Sequence, residues 1–196
     1  MISGRADRKS LITEGYRRPA RWLHWITAVL VLLMIPAGLI MVQQGLPRPL
    51  QDTLFIFHKN TGVILFLLIV LRLIYRWRHK PPPLPDDMPV WQSQAAGLTH
   101  LALYALLVLM PVSGYIRVRA DRFPIEGLDA LGIGTLMPKS EILATTAQAV
   151  HVICAFLLIA ILALHIAAAL QRALLRRDGI WARQDPCLHP VCHALL

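Results

Sequence analysis

Long apolar blocks alternate along the chain with short polar and basic stretches. Four blocks of roughly twenty residues stand out, at about Arg21–Val42, Thr53–Tyr75, Ala95–Ile116 and Ala147–Gln171, and none contains Asp or Glu. A helix of roughly twenty apolar residues covers the ~30 Å hydrocarbon core of a bilayer. The strict two-residue alternation of a barrel strand is absent. The pattern predicts an all-α membrane protein, a four-transmembrane-helix bundle. Prolines mark the joints. Pro47 and Pro49 are expected to keep the turn Gln43–Asp52 non-helical, and the stretch KPPPLPDDMP at 80–89 cannot be helical. Pro36 with Gly38 points to a kink or a close approach in the first span, and Pro111–Gly114 to a break in the third.

The fourth block carries no charge but holds two histidines, His151 and His165, fourteen residues apart. That is ~21 Å along a helix, and fourteen steps of ~100° fall about 40° short of four turns, so both rings lie near one stripe. Ionisable side chains inside a membrane helix are costly, face the bundle interior and mark function. By depth, five histidines fall into two layers: His58 and His151 near one surface, His24, His100 and His165 near the other. Arg72 follows His58 by fourteen residues and lies near the same stripe, at the depth of the second layer.

Composition agrees with a membrane protein: 56% of residues are hydrophobic and 16% charged, with mean hydropathy +0.55. The net charge of +9 raises the question of nucleic acid, and its distribution answers it. With both termini on the same side, Arg5, Arg8, Lys9, Arg17, Arg18, Arg21, Arg76, Arg78, Lys80, Arg172, Arg176, Arg177 and Arg183 share a face. Arg48, Lys59, Arg117, Arg119, Arg122 and Lys139 lie on the other. The positive-inside rule then makes both termini cytoplasmic. The basic flanks read as topology signals and contacts for membrane lipid, and no nucleic-acid partner is expected. The first block is long for a signal peptide and follows a polar lead, which suits a signal anchor. The expected division is a basic arm at 1–18, the membrane domain at 19–172 and a cytoplasmic tail at 173–196.

Each neutral imidazole buried in such a bundle needs partners for its ring nitrogens. A metal can satisfy one nitrogen of each of two rings while a carbonyl takes the other N–H. The spans offer no carboxylate for Mn or Mg, and no thiolate at these depths for zinc. Two trans imidazoles in an apolar slot suit haem iron in a low-spin electron-transfer site. Gly62, one turn from His58, offers either room for a flat plate or simple helix packing. Cys154 reads as a small packing residue. In the tail CLHPVCH, four residues separate Cys187 from Cys192, whereas covalent haem attachment needs C-x-x-C-H. Metal binding by Cys187, His189, Cys192 and His193 is the other alternative, and a polar tail is the simplest reading.

These pieces together carry a resemblance. RWLHW in the first span, FHKNTG and LRLIYR in the second, LTHLALYALLVLMPVSGY in the third and HVICAFLLIAILALH in the fourth are similar to the bacterial cytochrome b561 family of small di-haem b membrane cytochromes. The resemblance implies two haem b groups, the inner iron held by His24 and His165 and the outer by His58 and His151. Depth alone also pairs His58 with His151, but leaves His24 and His100 open as the inner partner. His100 is then a headgroup-facing residue or, with Arg72 or Tyr104, a contact to a haem propionate or a quinone. The resemblance further implies electron transfer between the periplasmic side and the quinone pool in the bacterial inner membrane. In some members this is superoxide oxidation coupled to ubiquinone reduction, and Arg117, Arg119 and Arg122 would suit steering of that anion. The alternative is a cytochrome b anchor subunit linking a partner dehydrogenase or hydrogenase to quinone. A histidine-lined transporter without redox chemistry is the third reading. Whether the chain is an oxidoreductase or a pure electron carrier stays open at this point.

Overall fold

The structure, a computed structural model, describes residues 18–79, 89–171 and 174. The expected arm and tail, with Cys187, His189, Cys192 and His193, therefore lie outside the described residues apart from Arg18 and Leu174. Five helices follow in order: α1 Arg18–Met41, α2 Arg48–Arg78, α3 Val90–Ala120, α4 Glu126–Ala130 and α5 Glu141–Gln171. No strand occurs among the described residues. α1, α2, α3 and α5 are long and apolar enough to cross a membrane. Three of them have 31 residues, ~46 Å at ~1.5 Å per residue, so each overshoots the ~30 Å hydrocarbon layer. The helices therefore extend past the apolar blocks, because a helix continues into the interface where hydropathy no longer marks it.

Two expectations about proline are corrected. Pro49 does not keep the turn open: Pro47 is the N-cap of α2, and Pro49 falls in its first turn, where no intrahelical N–H is needed. The Pro47 carbonyl accepts from the Leu50 and Gln51 N–H groups, both at 3.0 Å. The Gln51 side chain then donates to the Met41 carbonyl at 3.0 Å and so satisfies an end group of α1. Pro111 does not break the third span, since α3 runs from Val90 to Ala120 through it. Its missing N–H frees only the Leu107 carbonyl, which has a second chance of a partner within a packed bundle.

α3 packs along α5, α1 along α2, and α2 along α3, while α4 sits on α2. α1 and α2 meet α5 only loosely. Val31, Leu65, Ile69, Leu103, Leu106, Cys154 and Leu158 form the apolar core. In register, these positions lie between the two histidine layers, and Cys154 is the packing residue expected. Leu67, Phe156 and Leu164 are more than 60% exposed, an outward apolar surface that only lipid or another hydrophobic phase can cover. The end of the bundle holding the start of α1 is called the basic end here, and the end holding α4 the loop end.

The loop-end connection is held to α2 by polar contacts. Lys59 Nζ donates to Glu126 Oε1 and to the Pro124 carbonyl, both at 2.7 Å. Asn60 Nδ2 donates to Glu126 Oε2 at 2.7 Å, and the Gly127 N–H donates to Asn60 Oδ1 at 2.7 Å. A Cβ on Gly127 would lie 2.8 Å from Asn60 Oδ1, so this approach needs glycine. Partial burial raises the Glu126 pKa, but the hydrogen bonds from Lys59 and Asn60 outweigh it and hold the carboxyl below its usual range. A depressed folded pKa means that the latch contributes above the unfolded pKa and is lost as pH falls through the folded one. Hydrogen exchange at 124–131 should therefore be slow at neutral pH and accelerate as pH drops below the ordinary carboxylate range, after correction for intrinsic rates. Glu126→Gln should show the faster exchange already at neutral pH and lose that acid dependence.

Candidate functional site

At the loop end, α2 and α5 bring His58 and His151 together, with ring centroids 6.2 Å apart and planes at 72°. Each ring is closely approached by a glycine of a neighbouring helix. A Cβ on Gly38 of α1 would lie 2.9 Å from His58 Cε1, and one on Gly114 of α3 would lie 3.2 Å from His151 Cε1. The close approach expected at Gly38 is present. Beside Gly62 there is space: a Cβ there would meet only Met34 Cε, at 3.8 Å. His151 Nδ1 lies 3.0 Å from the Met110 carbonyl and must carry the proton, since a carbonyl only accepts. Nε2 is then the unprotonated nitrogen. The Met110 carbonyl and its neighbour Ser113 were not foreseen in the sequence. The PVSG run carries the signal, but only the α3–α5 register turns it toward His151. Near His58 lies the Met34 carbonyl, which does not reach hydrogen-bond geometry with the buried Nδ1.

At the basic end, His100 of α3 and His165 of α5 have ring centroids 5.5 Å apart, with planes at 67°. His24 of α1 lies within electrostatic reach of Arg72, His165 and His100, and its Nδ1 is buried without a hydrogen-bond partner among the described residues. His100 is thus not at a helix start. It stands ten residues into α3, against His165. All three rings share one layer. The guanidinium carbons of Arg72 and Arg76 lie 5.4 and 5.5 Å from the centroid of the Tyr104 ring, a cation–π arrangement. The sequence placed Arg72 and Tyr104 here and left Arg76 among the flanking charges. The signal for it was the i, i+4 spacing, which puts both arginines on one face.

The loop-end arginines are largely neutralised. Arg117 pairs with Asp121 and donates to Gln148 Oε1 at 2.8 Å. The buried Arg119 side chain pairs with Asp129 at 2.6 Å, and Arg119 holds the Asp129 carboxyl below its usual pKa range. Arg122, with φ 65°, is exposed. Among the described residues, no group of three or more His, Cys, Asp or Glu side chains could hold a bare metal ion. What the bundle offers is imidazole in two layers, suited to a metal whose other ligands come from a macrocycle.

A family model for prokaryotic cytochrome b561 matches residues 15–183. Cytochrome b561 homolog 2 of Escherichia coli (strain K12) is 30% identical over 171 residues, covering 87% of this chain and 90% of the relative. Cytochrome b561 homolog 1 of the same organism is 27% identical over 170 residues, covering 84% and 93%. With four membrane-crossing helices and this match over most of its length, the chain belongs to the prokaryotic cytochrome b561 family, electron-transferring membrane cytochromes of the b type, and is a multi-pass protein of the bacterial inner membrane.

Proposed function

We propose that the bundle holds two haem b groups and carries electrons between its loop end and quinone at its basic end. The observation that supports this most is the presence of imidazoles from different helices in each of two layers, separated by an apolar core. The residues fit the group. The His58 and His151 rings come from two helices and stand 6.2 Å apart between centroids, and would hold one iron between them. His151 already presents Nε2 unprotonated, and Gly38 and Gly114 keep the ring edges clear. When bound, haem supplies a one-electron iron couple in each layer. His58 and His151 would hold the loop-end iron, and His24 and His165 the basic-end iron, with His100 left to contact a propionate or quinone. The core side chains exclude water between the layers.

Charge asymmetry supports cytoplasmic termini, which make the loop end periplasmic. Superoxide is then the proposed donor and ubiquinone the acceptor, which would make the protein an oxidoreductase. Steering of an anion draws less support from the loop-end arginines than their number suggests, because Asp121 and Asp129 neutralise two of them. Leu131 and Leu136 at the loop end are 75% and 80% exposed, which favours a second reading: an anchor subunit that takes electrons from a partner dehydrogenase or hydrogenase. Anaerobic redox titration of the purified protein, followed by rapid mixing with superoxide and ubiquinone, separates these. Reduction by superoxide and reoxidation by quinone support the first reading. A protein inert to superoxide that co-purifies with a dehydrogenase supports the second, and a purified protein without a Soret band ends both.

His151→Ala should leave one haem per chain of the two, read by pyridine haemochrome and by loss of one low-spin EPR signal. His24→Ala should also lose one, whereas His100→Ala should keep both. Loss of a haem in His100→Ala with two retained in His24→Ala would reverse the basic-end assignment.

Gly38→Ala should force His58 aside and destabilise the loop-end site by ~1–3 kcal/mol, the usual cost of overpacking.

Arg72 places a fixed positive charge in the basic-end layer. Such a charge favours the more negative, reduced state of a nearby iron. Arg72→Leu should therefore lower the basic-end midpoint potential and slow quinone reduction with both haems retained. Arg72→Lys should fall between, since it keeps charge and loses the planar fork. An unchanged potential in Arg72→Leu would mean that the guanidinium acts elsewhere.

A further inference from the structure

The α5 histidine at the loop end is seated on α3 by three adjoining groups. His151 Nδ1 lies 3.0 Å from the Met110 carbonyl and 3.2 Å from Ser113 Oγ, while Ser113 Oγ donates to the same carbonyl at 3.0 Å. The hydroxyl proton is thereby committed to the carbonyl, and a lone pair of Oγ is left to face the Nδ1–H as its second acceptor. Ser113 is buried, at 5% exposure. A Cβ on Gly114 would lie 3.3 Å from Nδ1, so the next residue along α3 lets the helix come up to the same ring edge. A serine in an apolar helix commonly bonds its hydroxyl to a carbonyl one turn back. That habit does not account for the second contact, to an imidazole on another helix. At His58, the opposite ring of the pair, the nearby Met34 carbonyl does not reach Nδ1 in hydrogen-bond geometry, and no hydroxyl among the described residues bonds that nitrogen.

We propose that Ser113 is a positioning residue for His151: with the Met110 carbonyl it fixes Nδ1 as the protonated nitrogen and increases electron donation from Nε2 to the loop-end iron. The inference rests on the ligand role proposed above for His151. Acceptors on the remote N–H of a metal-bound imidazole orient the ring and raise its basicity. A hydroxyl that is itself donating is the better acceptor, because chained hydrogen bonds polarise one another. A more basic imidazole favours the oxidised iron, so the hydroxyl lowers the loop-end midpoint potential.

The test uses the purified full-length protein as Ser113→Ala, Ser113→Thr and, as a control, His151→Ala. Haem per chain, an optical redox titration and low-temperature EPR are read on each. Ser113→Ala should keep two haems, raise the loop-end midpoint alone and move its low-spin g values. Ser113→Thr, which retains the hydroxyl, should restore both. If Ser113→Ala loses the loop-end haem, its retention at the native potential in Ser113→Thr supports the proposal, and loss in both variants overturns it in favour of packing. A Ser113→Ala protein with parent potentials and an unchanged spectrum also overturns it, as does a shift confined to the basic-end haem. Retention of two haems by His151→Ala overturns the underlying ligand assignment, an outcome distinct from an unmoved potential in Ser113→Ala.

Discussion

A neutral imidazole placed in hydrocarbon needs something at both ring nitrogens. The helical bundle can supply only half of that. Its backbone N–H groups are tied up within the helices, so what it has to offer a ring is carbonyl or hydroxyl oxygen, which serves the protonated nitrogen. The unprotonated nitrogen finds no donor among leucines and valines. His151 shows this plainly, with Nδ1 against the Met110 carbonyl and Ser113 and Nε2 left as a lone pair. On the proposed reading such a nitrogen faces a haem iron, and the pairing of rings from different helices lets one iron serve two of them.

The helix packing follows from the same demand. α1 lies along α2 and α3 along α5, and α2 joins the two pairs. The proposed ligand pairs use the other combinations, α1 with α5 and α2 with α5, where backbones meet loosely. A flat macrocycle would fit between helices that are held apart, and glycines at Gly38 and Gly114 bring the remaining helices up to the ring edges. The apolar core from Val31 to Leu158 then separates the layers. Lys59 and Asn60, which follow His58 directly, clamp α4 through Glu126. The same turn of α2 thus carries a proposed ligand and anchors the loop above it.

Much of this was legible in the chain because membrane sequences are constrained twice, by hydropathy and by the cost of buried ionisable groups. Blocks free of Asp and Glu gave away the spans, and the fourteen-residue spacing of His151 and His165 gave away the layers. What was not legible depended on register between helices. The tight approaches to the two rings come from Gly38 and Gly114 on other helices, which no spacing along one helix could show. Ser113 sits in the PVSG run, but only the register of α3 against α5 brings it to His151. Pro49 and Pro111 misled for a local reason: a proline in a first turn costs nothing, and one inside a packed span loses a single hydrogen bond that the bundle tolerates. Between His24 and His100, the ring contact with His165 is made by His100, while His24 lies within electrostatic reach of the same layer, and the choice of His24 rests on the family pattern.

The two ends differ in how they treat charge, and on the proposed reading that difference sets a direction. At the basic end, Arg72 and Arg76 both lie over Tyr104, in the layer of His24, His100 and His165. Positive charge held there in a medium of low dielectric favours the reduced iron. At the loop end, Arg117 and Arg119 are balanced by Asp121 and Asp129, and Lys59 by Glu126, so little net field reaches the layer below. The Ser113 and Met110 acceptors on His151 act in the opposite sense and favour the oxidised iron. Both effects place the lower potential at the loop end and the higher at the basic end. Electrons delivered at the loop end would then run downhill through the bundle toward the quinone side, with no moving part required. Cation–π contact with Tyr104 holds the two guanidinium groups in that layer.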